Sequence, residues 1–373
     1  MSKLHHSILR IVFAAISKND PPPPPLRAER IRNILIVNTT AIGDTLLSTP
    51  AIRNIRKNFP KAAITALVSK SAMAALVSNP RIDAFIEYPG RINLRYLFKL
   101  PKLVRELRKG RFDLAVVLHA NDPDTGPLVY VTGAPWRMKI NWEETAFPFL
   151  YSFPVRTGLQ EGHEVDIKLR NLGACGIKAG GRELELFLTE ADHREASVFA
   201  ERLKKNRKGF IIVHPFGSKR NKWWDAENVK RFCALAAERL GFTPVIMGGA
   251  AEAAFAEAMA KDCGALSTAG KLSVRGSASL IYNSELIVTT DSGPMHIAQA
   301  LHVPTIALFG PDDPEATGPV NKNDIVVRKE ITCAPCRKKT CQYPQNDCMT
   351  SITPEDVLDN VQKRLSMRMR SFI

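Results

Sequence analysis

A short apolar run rich in branched residues, Asn33-Ile-Leu-Ile-Val37, passes through the turn Asn38 to Gly43 into a helical pattern through Leu46, Leu47, Ala51 and Ile55. Continuous apolar runs of this length are strands covered on both faces, and strand, loop, helix is the unit from which parallel sheets are built. The unit recurs. Ala63 to Val68, Ala84 to Tyr88 and Asp113 to Leu118 read as further strands, with a helix over Ser71 to Val77. Gly209 to His214 begins the series again, followed by a helix from about Asp225 to Leu240, the strand Thr243 to Met247 and a helix over Ala251 to Asp262. Later strands are Leu286 to Thr289 and Pro304 to Phe309. A chain of 373 residues exceeds what one hydrophobic core usually serves. The pattern therefore predicts an α/β protein with two Rossmann-like domains facing each other across a cleft.

The expected boundaries are an extension over residues 1–30, domains at 31–180 and 209–352 joined by 181–208, and a basic helix at 353–373 opened by Thr353 as cap and Pro354 in its first turn. The apolar stretch in residues 1–20 is too short to span a bilayer and has no clear signal-peptide cleavage site. Leu4, Ile8, Ile11, Val12, Ala15 and Ile16 fall at helical spacing beside Lys3, Arg10 and Lys18, as in a helix lying on a membrane surface; a frayed terminus is the plainer alternative. Pro21 to Pro25 makes a stiff spacer after it. The formal charge of +15 calls for an acidic partner, and nucleic acid, anionic lipid and phosphorylated sugars all qualify. Seven cysteines without an export signal point to a reducing compartment. Cys333, Cys336, Cys341 and Cys348 cluster, but without the two separated knuckles of a convincing zinc site.

Several loops carry chemistry. Asp44 stands where the first strand's loop becomes a helix and the amides favour an ionised carboxylate; it reads as a general base beside Gly43 or as an ordinary N-cap. His214 to Trp224 brings Ser218, Lys219, Arg220 and Lys222 into a loop suited to a diphosphate, and Trp223 and Trp224 argue against a merely solvated loop. In Thr290-Asp-Ser-Gly-Pro-Met-His296 a buried strand ends on Asp291, Ser292 and Gly293, with Pro294 in the first turn of a helix whose free amides would hold phosphate; otherwise Asp291 is a cap and His296 a core histidine. Gly248-Gly249 permits close approach by a nucleotide, with Glu252 in place for ribose hydroxyls. Asp122-Pro-Asp124 has a metal-binding form but is read as a turn, and no Gly-x-Gly-x-x-Gly follows the first strand, which disfavours a dehydrogenase. The basic stretch from Arg91 through Arg95 and Lys99 to Arg111, together with Arg137, supplies candidate contacts to acceptor phosphates or anionic lipid; a solvated helix face is the alternative.

Taken together, residues 40–52, the Lys222-Trp223 loop, Gly249 to Glu252, Thr290 to Ala298, Leu308-Phe-Gly-Pro311 and Thr317-Gly-Pro319 resemble glycosyltransferase family 9, the lipopolysaccharide heptosyltransferases. The resemblance implies the GT-B arrangement and metal-independent, inverting transfer of heptose from ADP-heptose, with no cofactor, to an anionic lipid-linked core saccharide. It implies Asp44 as catalytic base, and Lys222, Glu252, Asp291, Ser292, Gly293 and His296 as donor contacts. It also implies a cytoplasmic enzyme on the inner membrane surface, with no nucleic acid as partner. A GT-B-like nucleotide-sugar epimerase and a non-enzymatic nucleic-acid-binding protein stand as alternatives.

Overall fold

A computed structural model describes residues 3–18, 20–23, 25–90, 94–120, 125–140, 147–153, 161–204, 208–343 and 345–370, and the chain divides into two compact units at Arg182/Glu183. In the first unit the strands are β1 (Asn33–Asn38), β2 (Ala63–Val68), β3 (Ala84–Glu87), β4 (Leu114–His119) and β5 (Trp136–Lys139). The helices are α1 (Lys3–Ser17), α2 (Ile42–Leu46), α3 (Thr49–Asn58), α4 (Lys70–Leu76), α5 (Leu94–Lys109), α6 (Thr125–Val131) and α7 (Glu164–Ala174). The sheet runs β3-β2-β1-β4-β5, all parallel. Ile34, Leu35, Ile36 and Val37 are completely buried, as two-sided helical cover demands.

The second unit contains β6 (Phe210–His214), β7 (Thr243–Ile246), β8 (Leu266–Ser267), β9 (Leu286–Thr290), β10 (Thr305–Leu308) and β11 (Ile325–Val327). Its helices are α8 (Glu190–Lys204), α9 (Ala226–Leu235), α10 (Ala253–Cys263), α11 (Val274–Tyr282), α12 (Gly293–Ala300), α13 (Pro314–Thr317), α14 (Asp347–Thr350) and α15 (Pro354–Arg370). The sheet runs β11-β10-β9-β6-β7-β8, again all parallel. Helix α8 belongs to this unit, tied to α11 by the Asp192–Arg275 ion pair at 2.6 Å. Thr353 caps α15 as expected, its Oγ1 accepting from the Asp356 amide at 3.2 Å.

Two departures from the predicted elements have local causes. The single helix expected after β1 is split into α2 and α3, because Pro50 has no N–H to give the preceding turn and is accommodated only in a new helix's first turn. Helix α9 passes into a wider π turn over Ala236–Leu240 before left-handed Gly241 stops it.

Strand order determines where ligands can sit. In each sheet the order reverses once, between β1 and β4 in the first unit and between β6 and β9 in the second. Loops leaving the carboxyl ends of two such strands diverge to opposite faces and open a crevice.

Candidate active site

At the first crevice, Asn38 ends β1 and organises the loop beyond it. Its Oδ1 accepts from Thr40 Oγ1 and Thr45 Oγ1, both at 3.1 Å, and its Nδ2 donates to Ser48 Oγ at 3.2 Å. These bonds fix the start of α2, whose N-cap is Ala41 and whose third residue is Asp44. Asp44 is therefore not the cap that the sequence left open as an alternative. It occupies the first turn, where free amides favour its ionised form.

His119, at the end of β4, lies on the other side of the reversal, its Cα in register with Asn38. Its ring Nδ1 is 2.6 Å from Glu164 Oε1 at the start of α7, and Lys168, one turn further along α7, donates to that same oxygen. All three side chains are buried. Asp44, His119 and Glu164 bring carboxylate oxygens and a ring nitrogen within 4.8 Å of one another. Burial resists charge on Glu164, but Lys168 and His119 together outweigh it and hold the carboxyl far below the usual carboxylate range. Sequence reasoning found Asp44 and missed the other three.

At the second crevice, β6 leads into the loop of Lys222 and β9 into Asp291 and Ser292. Lys222 Nζ lies 2.6 Å from Asp291 Oδ2 and also pairs with Asp312, which follows β10. Burial opposes charge on Lys222, but the two carboxylates more than compensate and raise its pKa. One ammonium serves two aspartates, so the cluster keeps an excess negative charge. Burial, assisted by Asp312 and opposed by Lys222, accordingly lifts Asp291 above the usual carboxylate range. The cap of α12 is Ser292 rather than Asp291. Ser292 Oγ is 3.2 Å from His214 Nδ1, and burial pushes His214 down to about 4, so its imidazole is neutral at physiological pH. Asp312 and His214 carry no local sequence signal. Their importance comes from β10 and β6 both bordering β9.

The remaining donor-side candidates differ in environment. Gly293 opens α12, and His296, in the same helix, is buried. Ser218 is exposed, and Lys219 precedes the single turn Arg220–Lys222. Arg220 lies over the rings of Trp223, 3.8 Å from the centroid, and Phe255, at 4.6 Å; its guanidinium is thus stacked on aromatics. Glu252 Oε2 accepts from the Gly249 amide at 2.9 Å. A Cβ on Gly248 would meet the Phe216 ring at 2.8 Å, so glycine is needed there for packing. Cys333, Cys336, Cys341 and Cys348 line one cavity with Asn221, the residue before Lys222, and all are free thiols. Burial raises Cys348 to about 11. Asn346, in the same cavity, donates to the Asn221 carbonyl at 2.7 Å and so buttresses the Lys222 turn.

On the first unit's surface, Lys99 is exposed on α5, whereas Arg137 donates to the Leu150 carbonyl at 2.6 Å and the Ala134 carbonyl at 2.7 Å and pairs with Asp20 at 3.3 Å. These bonds make Arg137 a brace between β5 and the segment after α1. Gly43 is buried within α2. Arg91 and the Asp122-Pro-Asp124 loop lie outside the described residues, as does the side chain of Arg95.

A family model described as glycosyltransferase family 9 (heptosyltransferase) matches residues 100–346, well over half of the chain. Lipooligosaccharide heptosyltransferase 2 of Campylobacter jejuni is 39% identical over 80 residues, an alignment covering 21% of this chain and 25% of that one. The lipopolysaccharide core heptosyltransferase OpsX of Haemophilus influenzae is 24% identical over 354 residues, covering 91% of this chain and 99% of that protein. Among solved structures, Escherichia coli ADP-heptose lipopolysaccharide heptosyltransferase II superposes with a TM-score of 0.72 at 20% identity, covering 90% of this chain and 99% of that one. None of these three is named as an epimerase or a nucleic-acid-binding protein.

Proposed function

The chain belongs to glycosyltransferase family 9, the heptosyltransferase family, and from this premise we propose that it moves a heptose from ADP-heptose to a lipopolysaccharide core acceptor, with inversion and without a metal. The observation that carries the donor assignment is the placement of Lys222 across the β6/β9 crevice, beside the first amides of α12. A diphosphate there meets an ammonium and free N–H groups as charge builds on departing ADP. Glu252, at the turn after β7, is the proposed contact to the ribose hydroxyls. Asp44 takes the acceptor hydroxyl's proton while the oxygen's electron pair forms the new bond to the anomeric carbon and the bond to ADP breaks. Incubating ADP-heptose with and without delipidated core acceptor, and following ADP and product mass, tests the assignment. Turnover without acceptor would instead favour epimerisation or donor hydrolysis.

Donor identity has its own expected result. ADP-heptose raises the melting temperature more than UDP- or GDP-sugars do at equal concentration, because a ligand bound only to the native state must stabilise it. Equal stabilisation by a UDP-sugar rejects the ADP assignment.

The same reading places the enzyme in the cytoplasm on the inner membrane surface. Among the described residues no helix is long and apolar enough to cross a membrane. Helix α1 leaves Ile11 and Ile16 mostly exposed while Phe13 packs edge-on against Tyr130 and Phe147. Helix α5 buries Leu103 and Leu107 and exposes Lys99, Lys102, Arg105 and Arg108, with Phe98 78% exposed. Apolar side chains among cations suit an anionic bilayer. Deleting residues 1–25 is expected to reduce co-sedimentation with phosphatidylglycerol vesicles while leaving turnover of a soluble acceptor largely intact. Unchanged sedimentation transfers the role to α5.

A further inference from the structure

We propose that Cys333, Cys336, Cys341 and Cys348 form a structural site for one thiophilic divalent ion, zinc or iron, which braces the turn that carries Lys222. The ion takes no part in the transfer step, and its binding does not depend on which sugar the enzyme moves. Spacing along the chain disfavours zinc, because two separated knuckles are missing; placement in the fold favours a metal.

The four side chains follow β11 and line one cavity of about 20 Å³, room for a single ion or water. Cys348 is buried, the other three are partly buried, and all are free thiols. Where disulfides are not kept, a cysteine-rich loop is more often a metal site than a cross-linked framework. Arg337, directly after the second cysteine, is left-handed at φ 54°. That conformation costs a residue other than glycine about 1–3 kcal/mol and persists only where the surroundings impose it. Asn221, which also lines the cavity, donates through Nδ2 to the Lys338 carbonyl at 3.1 Å, while its Oδ1 is buried with no hydrogen-bond partner. An orphaned buried oxygen is costly, and a nearby cation relieves it. Binding sends the four thiol protons to solvent, and thiolates around a divalent ion then carry excess negative charge. Arg337, Lys338 and Lys339, between the second and third cysteines, supply the opposing charge.

Among the described residues only Asp44, His119 and Glu164 bring three such ligand atoms within 4.8 Å of one another, so no three of the four sulfurs are that close. In the Asp44 group the Lys168 ammonium already pairs with Glu164, and a second cation is repelled there. Around a bound ion, bonds of about 2.3 Å put tetrahedral thiolates about 3.8 Å apart. The empty cysteine site is therefore open. A change between staggered rotamers carries a sulfur about 3 Å, a movement of the size that closure needs. Closure ties down both donor-side loops. Asn346 Nδ2 donates to the Asn221 carbonyl at 2.7 Å, and the Arg337 amide donates to the Pro311 carbonyl at 2.7 Å while its guanidinium pairs with Asp313 at 2.7 Å. Lys222 follows Asn221 and Asp312 follows Pro311, so the ion steadies the two loops that form the Lys222–Asp312 pair.

The test uses the full chain, expressed with zinc and iron supplied and purified under reductant without chelator. Elemental analysis is expected to find about one equivalent of zinc or iron per chain and to say which. Cys336→Ser and Cys341→Ser lose the ion, whereas Cys175→Ser, in the first unit, keeps it. Cobalt(II) added to chelator-treated wild type develops the sulfur-to-metal charge-transfer bands and strong visible absorption of a tetrahedral thiolate site, and Cys341→Ser shows neither. Zinc sulfate raises the melting temperature of the chelator-treated wild type but not that of Cys341→Ser. Removing the ion speeds amide hydrogen exchange at residues 219–224, as loss of a brace beside Lys222 requires. Unchanged exchange there overturns the bracing. If the serine variants do not fold, the wild-type cobalt spectrum decides alone. A wild type that purifies without metal and gives no cobalt spectrum overturns the site, as does a folded Cys341→Ser that keeps its full equivalent of metal. None of these readouts needs donor or acceptor, so a chain that turns over no ADP-heptose rejects the proposed function and leaves the metal site to its own result.

Discussion

Asp44→Asn is expected to lower turnover by about 10²- to 10⁴-fold and to leave ADP-heptose affinity near wild type, because an amide of the same shape cannot accept the acceptor's proton. The architecture of the loop makes the substitution clean. The start of α2 is fixed by Asn38 through Thr40, Thr45 and Ser48, and Ser48 Oγ donates to the main-chain oxygen of Asp44, which asparagine retains. The donor contacts proposed here all belong to the second unit, and Asp44 to the first. Steady-state kinetics with saturating acceptor, paired with calorimetric titration of the donor, separate the two quantities. If the folded variant turns over at a near-normal rate, Asp44 is only a first-turn carboxylate and another acceptor-side group, such as one in the Asp122 loop, carries the proton.

That experiment concerns a residue the sequence could expose, and the reason is topological. A carboxylate between a buried strand and a helix start is visible as a local pattern, and so are Lys222 and Asp291, each in a loop that leaves a central strand. The central strands themselves were legible because both faces are buried, which leaves an unbroken apolar run such as Ile34 to Val37. The edges were not. β5 is four residues long and includes Arg137 and Lys139, β8 has two residues and β11 three, so none has enough sequence to stand out.

The partners of the site residues stayed hidden for a related reason. Glu164 lies 45 residues from His119, and Asp312 directly follows the Leu308-Phe-Gly-Pro311 motif without being part of it. Each acquires its role only when the sheet order puts its strand or helix beside another. Arg220 shows the converse. Its charge in a basic loop read as a phosphate fork, but Trp223 and Phe255 are near enough to stack against it, a contact that no spacing rule reveals.

Lys222→Ala should act on binding, rate and stability together, and the structure allows the three to be separated. Lys222 is proposed to meet the donor diphosphate in the ground state as well as in the transition state, so its loss weakens ADP-heptose binding by roughly 10- to 100-fold, the equivalent of one charged hydrogen bond, and lowers kcat as well. In the ligand-free protein the same ammonium pairs with both Asp291 and Asp312, and removing one partner of a buried ion pair leaves charge uncompensated. A stability loss of about 3 kcal/mol is expected near neutral pH. Its pH dependence has a definite sign. Asp291 already holds its proton more tightly in the native state than in the unfolded chain, and loss of Lys222 strengthens that preference. The native variant therefore binds more protons than the unfolded one, and its stability rises as pH falls through the native value of Asp291. Adding Asp312→Asn removes one of the opposed carboxylates and should restore much of the stability in urea melts. It supplies no new cation, so donor affinity should remain weak. If the double variant recovers ADP-heptose affinity along with stability, Lys222 serves only to hold the two aspartates together, and the diphosphate must be met by other groups, such as Lys219 and the first amides of α12.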